Sequence, residues 1–161
     1  MAPEQEIIRK IVDGDVSLFE ILLRRTNPYL YKIGRSYGFN HQDTEDLMQE
    51  THLSAYVNLA KFQHRSAYKT WVIRIMINHC NQRLQKSSFK NEKPQEKSFN
   101  ESSTPMFANN NVHADTPRNV LNKELNGVIE SAINQIPLEY KTVFCLRELN
   151  GLSVAETAAA L

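Results

Sequence analysis

Apolar residues recur along this chain at intervals of three and four, and almost never alternate with polar ones. That spacing predicts helices, and the scarcity of glycine (5 residues) agrees with it. Ile7, Ile8, Ile11 and Val12 mark a short helix over 4–13, stopped by Gly14. Phe19, Leu22, Leu23, Leu30, Ile33 and Tyr37 mark a longer element over 16–37, with Pro28 as a point of kinking or splitting and Gly38 as a C-terminal cap. A third helix is expected from Asp43 to Leu59, with Asp43 as N-cap and Glu45 and Asp46 in the first turn, where the helix dipole favours acids. Residues 60–66 read as a loop, and a fourth helix runs over 67–86.

The pattern breaks at 87–119, a stretch rich in Ser, Asn, Lys, Glu and Pro that includes Asn109-Asn110-Asn111. Such a composition buries too little apolar surface to order itself, so a flexible linker between two domains is expected. Helical periodicity resumes over 120–135, with Leu121, Leu125, Val128, Ile129, Ala132 and Ile133 as the apolar stripe. Pro137 opens the next helix, which carries Val143, Phe144 and Leu146 to Leu149. Ser153 and Glu156 form a capping box that starts a small, Ala-rich helix over 154–161. The fold class is all-α.

Composition excludes several roles. Lys and Arg number 19 against 18 Asp and Glu, so the chain does not coat nucleic acid by net charge alone. No apolar run reaches the length of a transmembrane helix, and residues 1–6 lack the order of a secretory signal. Two isolated cysteines, Cys80 and Cys145, point to a reducing cytoplasm rather than to disulfides or zinc. Neither a His-Glu-x-x-His motif nor a Gly-rich phosphate loop occurs, so no catalytic residue, metal or cofactor is expected.

Counted by segment, the charge is far from even. Residues 39–60 hold four acids (Asp43, Glu45, Asp46, Glu50) and no Lys or Arg. Residues 61–93 hold eight bases and one acid, Glu92. Glu45, Asp46, Gln49 and Glu50 share one helical face, which is either a solvated surface or a docking patch for a basic partner. In the fourth helix Ile73, Met76, Ile77, Cys80 and Leu84 form a core stripe. A second stripe passes from Tyr68, Trp71, Val72 and Ile75 to Asn78, His79 and Gln82. Aromatic rings can stack on unpaired bases, amides can bond base edges, and Lys and Arg neutralise phosphates. Trp71 and Tyr68 are equally compatible with core positions.

The motif Thr44-Glu45-Asp46-Leu47-Met48-Gln49-Glu50-Thr51, followed by Tyr68-Lys69-Thr70-Trp71-Val72-Ile73-Arg74-Ile75-x-x-Asn78, closely resembles domain 2 of bacterial RNA polymerase sigma factors, in their extracytoplasmic-function class. The run from Ala132 through Ile136-Pro137, Tyr140-Lys141 and Gly151-Leu152-Ser153 to Ala158 resembles the opening of sigma domain 4. The resemblance implies domain 2 over 1–86, a linker over 87–119, and over 120–161 the start of a domain 4 that stops before its recognition helix, so no minus-thirty-five contact is expected of these residues.

It further implies that Glu45, Asp46, Gln49 and Glu50 dock on the β′ clamp helices of core RNA polymerase. The helix with Tyr68, Trp71 and Asn78, and the loop before it with Phe62, His64, Arg65 and Lys69, would melt the promoter minus-ten element and hold a flipped base. Arg74, Arg83 and Lys86 would hold the DNA backbone. Gln82 and Gln85 stand where the family commonly has an acid and an Arg, which implies a different reading of the upstream edge at Gln82. Partners are therefore core polymerase and promoter DNA, with room for an anti-sigma factor and no membrane insertion. A helix-turn-helix regulator that never binds polymerase is the alternative.

Overall fold

The computed structural model describes residues 4–90 and 117–161. Among them all regular structure is helical: α1 (Glu4–Val12), α2 (Phe19–Ser36), α3 (His41–Asn58), α4 (Tyr68–Lys90), α5 (Pro117–Asn134), α6 (Leu138–Phe144) and α7 (Val154–Ala160). The expected linker over 91–116 lies outside the described residues. Its expected edges are helical instead, because α4 continues to Lys90 and α5 begins at Pro117.

Local signals explain most boundaries, with one correction. Helix α3 starts two residues earlier than Asp43, and its N-cap is Asn40, whose Oδ1 accepts from the Asp43 N–H at 2.8 Å. Asn at this position satisfies an otherwise orphaned amide, which leaves Asp43 in the first turn. Helix α2 passes through Pro28 as one element. After α2, Gly38 takes φ +83, the left-handed geometry that a helix-ending glycine supplies without steric cost. The capping box of α7 is present in both directions: Glu156 N–H donates to Ser153 Oγ (3.2 Å), and Ser153 N–H donates to Glu156 Oε2 (2.8 Å).

Helices α2, α3 and α4 pack on one another. Leu22, Leu30, Ile33, Leu47, Val72, Ile73, Met76 and Cys80 fill the space between them, each at most 1 % exposed. At about 1.5–3 kcal/mol for each large aliphatic side chain, these contacts, rather than helix propensity, hold the bundle. Residues 144–161 do not form a separate core. Cys145, Leu146, Leu152 and Ala160 are buried in the same cluster, α7 lies on α4, and Lys32 Nζ donates to the Leu149 carbonyl at 2.9 Å. A helix as short as α7 is marginal in isolation, so it orders by borrowing the apolar surface of α4. Between α6 and α7 the helix widens into a π-type turn over Cys145–Leu149, with Asn150 N–H donating to Cys145 O at 3.0 Å.

The stripe expected on α5 is not core. Leu125, Val128 and Ile129 are exposed, and Ile133 is buried. The periodicity was sound for a helix, but among the described residues α5 meets no broad apolar surface that could cover that face.

Candidate functional site

Helix α3 carries the acidic row. Leu47, Thr51 and Ala55 turn into the core, which fixes the opposite side of the helix towards solvent. Glu45, Gln49 and Glu50 are exposed there and Asp46 is half-buried. The same face continues into Leu53 and Val57, which are 66 % and 67 % exposed. Sequence reasoning missed this apolar extension, although its spacing from Gln49 by four and eight residues was readable. Glu45 meets His41 Nε2 at 3.3 Å, and Asp46 accepts from Gln42 Nε2 at 3.3 Å, both within α3.

A groove of about 410 Å³ runs between α3 and α4 beside this row. It is lined from α3 by Ser54 and Asn58, then by Lys61, and from α4 by Trp71, Ile75, Asn78, His79 and Gln82. Trp71, Asn78 and Gln82 thus line one groove, and Arg65, Arg74 and Lys86 are exposed. Ser54, Asn58 and Lys61 are additions that periodicity alone did not single out.

Other expected nucleic-acid residues are placed differently. Tyr68 is 1 % exposed and Phe62 is 9 % exposed, so neither ring is free to stack on a base. They form the floor under Trp71, with centroids 5.7 Å and 4.9 Å from the indole. Burial pushes the Tyr68 phenol well above the usual range, and its hydroxyl has no hydrogen-bond partner. The Tyr68 N–H donates to Glu4 Oε1 at 2.9 Å, so a carboxylate from α1 caps α4. Sequence alone could not find that cap, because the partners are 64 residues apart. Lys69 is turned to α2, its ammonium 4.8 Å from the centre of the Tyr29 ring. His64 sits at φ +55 with its ring 4.6 Å from that of Phe62. Arg83, expected on the DNA backbone, instead meets Glu50 Oε1 at 3.0 Å and Asp43 Oδ1 at 3.4 Å. Two acids within its reach on α3 account for the difference.

The structure also aligns Ser54 Oγ, His79 and Glu50, an order found in hydrolases. His79 Nε2 is 3.0 Å from Ser54 Oγ, but Nδ1 is 3.8 Å from Glu50 Oε2, too long for a hydrogen bond. Ser54 lies inside α3, where the neighbouring amides serve the helix and cannot stabilise an oxyanion. The contact therefore joins two helices. Burial pushes the thiols of Cys80 and Cys145 up to about 12 and about 11, so they behave as small core groups. Among the described residues no cluster of His, Cys, Asp and Glu could hold a metal ion, and no helix is long and apolar enough to cross a membrane.

The Sigma-70 region 2 family matches residues 22–89, the stretch that contains α3, the groove and nearly all of α4. The chain is 28 % identical to the ECF RNA polymerase sigma-E factor of Haemophilus influenzae over 157 residues, covering 96 % of this chain and 82 % of that protein. It is 26 % identical to the ECF RNA polymerase sigma factor SigM of Mycobacterium tuberculosis over 158 residues, covering 98 % and 73 %. The chain belongs to the extracytoplasmic-function sigma factors. As such it is a transcription-initiation factor, and a regulator independent of polymerase is not favoured. The fold of this sigma factor is similar to that of CnrH, solved in complex with the cytosolic domain of CnrY, with a TM-score of 0.65 and 17 % identity over 98 % of this chain and 81 % of that one.

Proposed function

We propose that this sigma factor docks on core RNA polymerase through the exposed face of α3 and holds the melted minus-ten strand of promoter DNA in the groove between α3 and α4. The observation that carries this reading is the adjacency of two unlike surfaces on one helix pair. Glu45, Asp46, Gln49 and Glu50, extended by Leu53 and Val57, offer acids beside apolar anchors, the composition a basic helical partner requires. The groove offers an indole, amides and flanking bases, the composition a single strand requires. In this arrangement Trp71 stacks, Asn58, Asn78 and Gln82 reach base edges, and Lys61, Arg65, Arg74 and Lys86 neutralise phosphates. No bond is made or broken by this chain; docking and strand trapping do the work.

The division into 1–86, a linker over 87–119 and a domain-4 start over 120–161 belongs to the same proposal. So does a cytosolic protein partner of the anti-sigma kind, supported by the company in which CnrH was solved. The deciding experiment is association with core polymerase. Asp46→Lys places a cation in the acidic row, and it should abolish co-purification with core enzyme and promoter-dependent transcription while leaving the thermal midpoint nearly unchanged. Undiminished co-purification would remove α3 as the docking face.

A further inference from the structure

Docking alone does not account for the surroundings of Glu50. Within the acidic row it lies at the edge nearest α4, and both of its oxygens meet bases from that helix. Oε1 accepts from Arg83 Nη2 at 3.0 Å, and Oε2 lies 3.8 Å from His79 Nδ1. The same guanidinium reaches Asp43 Oδ1 through Nη1 at 3.4 Å, so Arg83 spans two turns of α3. Glu45 and Asp46 instead bond within α3, to His41 and Gln42. On the other side, His79 lines the groove and Arg83 follows directly on Gln82 at its end. One carboxylate therefore belongs to the docking row and at the same time holds the Arg83 guanidinium at the border of the strand groove.

We propose that Glu50 is a shared carboxylate that couples polymerase docking to strand capture. In the free protein it keeps Arg83 engaged with α3. A cation of the docking partner that takes Glu50 releases the Arg83 guanidinium towards phosphates of the strand in the groove. This rests on the docking and groove roles proposed above. The exchange needs only side-chain rotation, because the Arg83 side chain is 33 % exposed and that of Glu50 51 %. Pairs so open to water are weak and exchangeable. A pair of that strength biases the competing equilibrium by about two- to fivefold, and reciprocity requires a bound strand to raise docking affinity by the same factor. Asp43, with its longer contact, retains only a partial hold on the freed guanidinium.

The test uses the full chain and a fluorescein-labelled oligothymidylate, with binding followed by anisotropy at low ionic strength. Glu50→Gln should tighten binding about two- to fivefold. Glu45→Gln, which removes the same charge from the same helix without touching Arg83, should tighten it by less than half as much. In an Arg83→Gln background the gain from Glu50→Gln should vanish. Equal gains from Glu45→Gln and Glu50→Gln, a gain that survives Arg83→Gln, or no binding by any variant would each overturn the proposal. Co-purification of the wild-type chain with core polymerase reads the docking role separately. Its failure would sink that role, while the oligothymidylate comparison would still decide whether Glu50 restrains Arg83.

Discussion

The indole of Trp71 rests on the ring of Phe62, with centroids 4.9 Å apart and Phe62 buried where Trp71 is half-exposed. The buried ring fixes the exposed one, so Trp71 meets a base as a rigid surface with little ordering entropy left to lose. Trp71→Ala should weaken binding to a single strand, or to a pre-melted promoter bubble, by about 1–3 kcal/mol. Binding to duplex, which depends mainly on phosphate contacts, should change much less. Parallel anisotropy titrations on bubble and duplex check this. Equal losses on both would make Trp71 a packing residue only.

Tyr68 supports that platform from below without a partner for its hydroxyl. A buried, unsatisfied hydroxyl contributes no stability, and replacing it by hydrogen relieves a desolvation cost. Tyr68→Phe should therefore leave strand binding unchanged and leave the thermal midpoint equal or higher. A loss of strand binding would show that the phenol leaves the core to reach a base.

Leu146 is fully buried in the core cluster it shares with residues of α2, α3 and α4, although it lies in the C-terminal segment. Leu146→Ala should cost about 2–5 kcal/mol, and hydrogen exchange should show faster opening in α4 as well as in α7, because one cluster serves both. Unaltered protection in α4 would mean that the C-terminal segment unfolds on its own.

Much of this was legible from spacing alone, and the failures share a physical origin. The core stripe Ile73, Met76, Ile77 and Cys80 and the capping box at Ser153 are local patterns, and the structure contains both. The acidic row and the sigma resemblance were equally local. Tyr68, Phe62 and Arg83 were misplaced because their environments are set by other elements: Glu4 of α1 at the start of α4, Trp71 of α4 over Phe62, and Asp43 and Glu50 of α3 around Arg83. That Cys145, Leu146, Leu152 and Ala160 join the core of α2, α3 and α4 was illegible for a similar reason. Periodicity shows that a helix has an apolar face and is silent on which element will cover it.

Gly34 and Gly127 are both inside helices and should respond oppositely to alanine. A Cβ on Gly34 would stand 2.6 Å from Thr44 Cγ2 and 3.1 Å from Met76 Cε. Thr44 is a buried, β-branched residue with little room to yield, so overpacking of about 1–3 kcal/mol outweighs the gain in helix propensity. Gly34→Ala should lower the thermal midpoint. A Cβ on Gly127 meets nothing within 4 Å, so Gly127→Ala should stabilise α5 by about 0.5–1 kcal/mol, visible as increased helical circular dichroism.

His52 gives stability a defined pH dependence. Its Nε2 lies 2.7 Å from Asn27 Oδ1, its Nδ1 is buried without a partner, and burial pushes the imidazole pKa down to about 4. In the unfolded chain the group titrates near its ordinary value of about 6.5. Between these values the unfolded state binds the proton and the folded state does not, so acidification favours unfolding. The contribution is complete above about pH 6.5 and falls as pH drops towards 4. Carboxylates titrate at the lower end, so the window from about pH 6.5 to 5 isolates the histidine. Urea midpoints measured across that window should fall for the wild type and stay nearly level for His52→Gln, whose amide can still bond Asn27. Parallel curves for the two proteins would mean that the imidazole is protonated in the fold.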